Sequence, residues 1–219
     1  MIKQFNVMDN YIFDLDGTLV DSSSEILQCL QQALNQNFVT YDKSKLNTDI
    51  MGPSLKEIIK LIVPELNDEK IINSVVARYR FLYDYNTKDS SKLYAGMFDL
   101  LEMLLKENKK IFIATNKPKI PTMRLVNSLN INFFNDILTP DKYSQDKRLN
   151  KQEMIEDIII KHELCKEKTV MLGDILSDID SAHSAGIKVI GALWGYAKDI
   201  NSLKETADFV LDKPTGTIQ

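Results

Sequence analysis

Short apolar runs alternate along the chain with longer stretches whose apolar positions recur every three or four residues. The four clearest runs are Asn10 to Leu15 (NYIFDL), Lys110 to Thr115 (KIFIAT), Lys168 to Gly173 (KTVMLG) and Ile187 to Leu193 (IKVIGAL). Each is short, almost wholly apolar and ended by polar or small residues, which predicts strands buried on both faces of a parallel sheet. Strands separated by helical stretches predict an α/β fold with crossover helices.

The long stretch between the first two runs is not strand-like. Ser22 followed three residues later by Glu25 predicts a capping box, ahead of Ile26, Leu27, Leu30, Ala33 and Leu34. Helical apolar spacing returns from Ser54 to Val63 and from Asp68 to Tyr85. The turn Met51-Gly52-Pro53-Ser54 has two readings, a substrate-facing loop of the insert or a helix start with Pro53 at its first position. After Gly96, the residues Phe98, Leu100, Leu101, Leu104 and Leu105 predict a helix whose apolar face packs on the sheet. The division expected is therefore a core of residues 1–20 and 93–219, with a helical insert at 21–92.

Composition narrows the function classes. With 44% apolar and 26% charged residues, and only 8 Gly and 6 Pro, the chain has the makeup of a folded globular protein. A net charge of −4, with the 27 basic residues spread along the chain, gives no stripe for a nucleic-acid backbone. No apolar run approaches the roughly 20 residues of a membrane span, and no secretory leader is visible at the start. Cys29 and Cys165 are far apart and have no C-x-x-C neighbour, so neither a disulfide framework nor a zinc site is expected. A cytoplasmic location is expected.

The chemistry-bearing residues gather at strand ends. In Asp14-Leu15-Asp16-Gly17-Thr18 the two carboxylates stand two residues apart on extended chain, so they point to the same side, and Gly17 permits a close turn. Open α/β sheets bind ligands beyond the carboxyl ends of their strands. Thr115-Asn116-Lys117 follows the second strand and offers a hydroxyl and backbone N–H groups for a phosphate. Gly173-Asp174 ends the third, with Asp178 one helical turn later. So much carboxylate oxygen, with no His or Cys among it, predicts a hard cation such as Mg2+. An EF-hand starting at Asp14 fails, because Leu19 stands at the sixth position, where that loop needs glycine, and a strand precedes the loop. An Asp-Gly turn or a charge pair at a helix start would explain any one of these sites alone, but not three at three strand ends.

Taken in order, DLDGTLVDS, TNKP, Lys151 and GDILSD resemble the four motifs of the haloacid dehalogenase superfamily of phosphatases, over nearly the whole chain. The resemblance implies a Rossmann-like core with an inserted helical cap. It implies phosphate-ester hydrolysis in which Asp14 is the nucleophile that becomes a phosphoaspartate and Asp16 the acid and base. Thr115, Asn116 and Lys151 would bind the phosphoryl group. Mg2+ would be held by the Asp14 side chain, the Asp16 carbonyl and Asp174, with Asp178 assisting through water or by fixing Lys151. Lys151 departs from the frequent Lys-Pro form, and Lys147 and Arg148 are nearby alternatives; Lys151 is preferred because it opens the helical pattern of Ile155, Ile158 and Ile159.

Within the superfamily the chain most resembles the phosphoglycolate phosphatase group, through the helical cap, TNKP, the Met51-Gly52-Pro53-Ser54 turn and Leu193-Trp194-Gly195-Tyr196. The substrate implied is a small phosphorylated metabolite, reached by closure of the cap, and the oligomer a monomer or homodimer. Arg78 and Arg80 are candidates for a substrate carboxylate, against the commoner solvated arginine, and Trp194 is expected to pack on the core. A phosphosugar mutase of the same superfamily would use the same residues and differ in its product. A signalling receiver domain has its acidic pair ahead of the phosphorylated Asp, the reverse of the order here.

Overall fold

The computed structural model describes residues 8–85, 90–143 and 148–215. In chain order the elements are β1 (Asn10–Phe13), β2 (Val20–Asp21), α1 (Ser23–Gln36), α2 (Leu55–Ile62), α3 (Glu69–Asp84), β3 (Lys92–Leu93), α4 (Met97–Lys106), β4 (Lys110–Ala114) and α5 (Lys119–Ser128). There follow β5 (Asp136–Leu138), α6 (Lys151–Lys161), β6 (Thr169–Gly173), α7 (Leu176–Ser184), β7 (Lys188–Ala192), α8 (Ile200–Thr206) and β8 (Phe209–Leu211). The chain divides into two compact units, Met1–Asp21 with Lys92–Gln219, and Ser22–Ser91.

The larger unit is an α/β sandwich on a six-stranded parallel sheet of order β5-β4-β1-β6-β7-β8. β1 is central, with Tyr11 opposite Ile111 on one side and Val170 on the other. Because successive strand residues face opposite ways, β1 feeds two cores. Tyr11 and Phe13 pack with Ile111, Ile113 and Leu172 under α4 and α5, while Ile12 packs with Phe112 and Met171 under α6 and α7. All of these are essentially removed from water, each large apolar side chain contributing roughly 1.5–3 kcal/mol.

The strand order fixes where a ligand can sit. From β1 the chain runs outward to β4 and β5, then returns to β6 beside β1 and runs the other way to β7 and β8. The crevice between the carboxyl ends of β1 and β6 is thus the point where the winding direction reverses, the usual ligand position in such sheets. The four predicted strands are present, each shorter by one or two residues at its ends. β5 and β8 were not predicted; at three residues each they carry too little pattern.

Three further expectations need correction. The capping box at Ser22 does not form: Ser22 precedes α1 without a side-chain cap bond, and the buried Glu25 carboxylate instead accepts from Ser91 Oγ at 2.6 Å. Pro53 is not the first residue of α2; Ser54 caps that helix, in a reciprocal box with Glu57. Phe98 is 43% exposed, and Met97 takes its place on the buried face of α4 with Leu100, Leu101 and Leu104.

The smaller unit, Ser22–Ser91, is helical. α1 and α3 pack on each other, α2 on α3, around Leu30, Leu34, Ile59, Ile62, Ile72 and Val75. α3 is capped by Asp68, whose carboxylate accepts from the amides of Lys70 and Ile71.

Candidate active site

Each predicted strand-end residue lies at the carboxyl edge of the sheet. Asp14 directly follows β1 and Asp174 directly follows β6, and the Asp14 amide extends the parallel ladder by donating to the Leu172 carbonyl at 2.9 Å. Asp178 lies in the first turn of α7 and is completely buried. Its Oδ2 accepts from the amides of Asp174 (3.1 Å) and Ile175 (3.3 Å), so it fixes the strand-to-helix turn. Oxygens of Asp14, Asp174 and Asp178 lie within 4.8 Å of one another.

Between them enters one cation. Lys151, the first residue of α6, is 5% exposed, and its Nζ donates to Asp14 Oδ1 at 2.7 Å and to Asp178 Oδ1 at 2.5 Å. The helix start that delivers it is well determined, because Asn150 and Glu153 form a capping box. Arg148 is exposed, and Lys147 lies outside the described residues.

The electrostatics follow from burial. Three buried carboxylates gather here, and the Lys151 ammonium pairs with two of them, Asp14 and Asp178. Burial pushes the Asp14 carboxyl up to about 7; Lys151 opposes the rise and Asp178 and Asp16 add to it. Asp174 is raised well above the ordinary carboxylate range, first by burial and then by Asp178 and Asp14. Lys151 is raised despite its burial, through Asp14 and Asp178. Such a site has a deficit of positive charge, and its all-oxygen donor set suits a hard divalent cation.

Asp174 is aimed by a cradle that the motif spacing did not disclose. Thr18 Oγ1 donates to its Oδ1 at 2.8 Å and the Tyr196 amide to its Oδ2 at 2.7 Å, while Trp194 Nε1 donates to the Thr18 carbonyl at 3.0 Å. Glycine is required on both walls: a Cβ on Gly17, whose φ is +88°, would fall 2.2 Å from Asp174 Oδ2, and one on Gly195 2.5 Å from the Gly17 carbonyl. Trp194 also packs on the core, with Tyr94.

On the other side of β1, Thr115 directly follows β4 and is 1% exposed, and its Oγ1 accepts from the Lys117 amide at 3.2 Å, which leaves the hydroxyl proton to donate. Asn116 is exposed at the rim. The Asp16 carboxylate does not join the three-carboxylate cluster: both its oxygens accept from Lys117 Nζ, at 2.8 and 3.0 Å. Lys117 is thus a second buried cation of the site that sequence reasoning passed over, although TNKP contains it. Within the helical unit, Arg78 donates to Gln36 Oε1 and stacks over Phe81, and Arg80 is exposed.

The family model described as haloacid dehalogenase-like hydrolase matches residues 11–192. A phosphoglycolate phosphatase from Photobacterium profundum is 30% identical over 97% of this chain and 95% of its own length. Pyrophosphatase PpaX of Listeria monocytogenes is 30% identical over 92% of this chain and 91% of its own. Among solved structures, a haloacid dehalogenase-like family hydrolase from Streptococcus pneumoniae superimposes with a TM-score of 0.81 at 26% identity, covering 95% of this chain and 96% of that one.

Proposed function

Because the chain belongs to the haloacid dehalogenase-like hydrolase family, we propose that it is a magnesium-dependent phosphatase of small phosphorylated metabolites, working through a phosphoaspartate on Asp14. The observation that carries this reading is the buried Asp14 carboxylate, 2.7 Å from Lys151 Nζ and clustered with Asp174 and Asp178. An oxygen of Asp14 attacks phosphorus as the bond from phosphorus to the alcohol oxygen breaks. Asp16 gives its proton to that oxygen. Water then attacks the phosphorus of the acyl phosphate, Asp16 takes the proton, and the Asp14 carboxylate is restored.

Lys151 supplies positive charge where two anions must meet, and the Thr115 hydroxyl with the Asn116 amide receives the phosphoryl oxygens. Asp14, the Asp16 carbonyl and Asp174 would hold the cation, with Asp178 keeping Lys151 in line. Bound there, magnesium neutralises charge on the incoming phosphate and favours the ionised form of Asp14. We place Ser22–Ser91 in the role of a substrate-selecting cap. A cytoplasmic location is supported by two cysteines that form no disulfide.

The names of the relatives supply the first substrates to try, 2-phosphoglycolate and pyrophosphate. Phosphate release from these, from p-nitrophenyl phosphate and from sugar phosphates, with magnesium or with EDTA, tests the reading. Release that needs magnesium and is lost in Asp14→Asn is the expected result. Turnover of none of these compounds, or full activity in Asp14→Asn, would remove the reading.

A further inference from the structure

Lys117 has no step in the scheme above, yet its placement is costly. Its side chain is 3% exposed, at the carboxyl end of β4, and its Nζ lies 2.8 and 3.0 Å from the two oxygens of one carboxylate, Asp16. A flexible, strongly hydrated ammonium is withdrawn from water to this degree only where fixed acceptors replace the water. The Asp16 side chain itself is 23% exposed, three residues beyond the end of β1. The amide of Lys117 also donates to Thr115 Oγ1 at 3.2 Å, so one residue joins the Thr115 hydroxyl to the Asp16 carboxylate.

We propose that Lys117 is the positioning residue for Asp16. Its ammonium fixes that carboxylate's orientation, and its backbone ties the orientation to the loop that receives the phosphoryl group. The inference rests on the reading of Asp16 as acid and base. The two bonds of Lys117 Nζ go to Asp16, which stands outside the cluster of Asp14, Asp174 and Asp178, so its loss should affect proton delivery rather than phosphoryl attack. A competing assignment makes Lys117 a binding group for a second anion on the substrate. The two short contacts to Asp16 favour the positioning role.

Proton delivery can be isolated by the leaving group. The ratio kcat/KM reports steps only as far as departure of the alcohol. Alkoxides need a proton to leave, whereas p-nitrophenolate does not. Wild type, Lys117→Met, Lys117→Arg and Asp16→Asn would be compared on ethyl phosphate, 2-phosphoglycolate and p-nitrophenyl phosphate.

Lys117→Met is expected to lose about tenfold or more in kcat/KM on both alkyl phosphates and less than about threefold on p-nitrophenyl phosphate. Asp16→Asn should show the same preference to a larger degree, and Lys117→Arg, which keeps the cation and its donors, the wild-type ratio. Equal losses on all three substrates in Lys117→Met would overturn the proposal. So would a loss confined to 2-phosphoglycolate, which would make Lys117 a binding group for the substrate's carboxylate. If Lys117→Met does not fold, Lys117→Arg decides, since a change in its alkyl-to-aryl ratio as large as that of Asp16→Asn contradicts positioning by the cation. A wild type inactive on every substrate would instead remove the phosphatase reading itself.

Discussion

Replacing Lys151 by Met removes the ammonium that pairs with the buried Asp14 and Asp178 while keeping much of the side-chain volume. In the wild type that ammonium lies 2.7 Å from Asp14 and 2.5 Å from Asp178, all three side chains being 7% exposed or less. Deleting one partner of a buried pair costs about 3–5 kcal/mol, because the stranded charge keeps its desolvation penalty. At roughly 2–4 °C per kcal/mol for a chain of this size, the metal-free variant should melt about 6–20 °C below the wild type at pH 8.

The pH dependence gives the sharper test. Asp14 is raised to about 7, so its contribution is fully present below its unfolded value near ~4 and is lost as pH rises through about 7. Lys151 limits that loss, and without it the rise is larger, so the deficit should widen between pH 5 and pH 8. Lys151 itself is raised and keeps its charge over this range, so it adds no slope of its own. Calorimetry in EDTA at the two pH values measures this. A deficit of less than about 2 °C at pH 8, or one equal at both, would refute the electrostatic account.

Magnesium affinity should weaken by about tenfold or more from pH 8 to pH 6, because protons on Asp14 (raised to about 7) and on Asp174 (raised well above the usual range) compete for the same oxygens. Titration calorimetry in two buffers should also detect proton release, and affinities equal at both pH values would contradict the assignment. Gly195→Ala should cost about 1–3 kcal/mol in urea unfolding and blunt the thermal response to magnesium, since its Cβ would lie 2.4 Å from Asp174 Oδ2. Gly52→Ala, with φ +104° and nothing within 4 Å, should cost only about 1 kcal/mol and leave that response intact.

Much of the larger unit was legible because buried parallel strands announce themselves as unbroken apolar runs, and β1, β4, β6 and β7 all do so. β5 and β8 escaped because three residues, one of them Asp136 in β5, carry no usable pattern. The positions of Asp14, Thr115 and Asp174 were legible for the same reason, each being the first polar residue past a strand. What the motifs lacked was pairing across the sheet. Lys117 follows β4 and Asp16 follows β1, and only the adjacency of those strands brings them together. The Thr18 and Tyr196 bonds to Asp174 depend likewise on a turn far away in sequence. Ser22 and Glu25 fitted a local motif, but the buried partner Ser91 holds the Glu25 carboxylate.

The most direct test of the central claim is a rapid acid quench of the magnesium-loaded protein with a 32P-labelled form of its best substrate, followed by peptide mapping. An acid-stable, hydroxylamine-labile label on the peptide carrying Asp14, formed and discharged at rates that account for kcat and absent in Asp14→Asn, is the result predicted. Phosphate released in the steady state with no protein-bound label at any time, or a label on another residue, would contradict it.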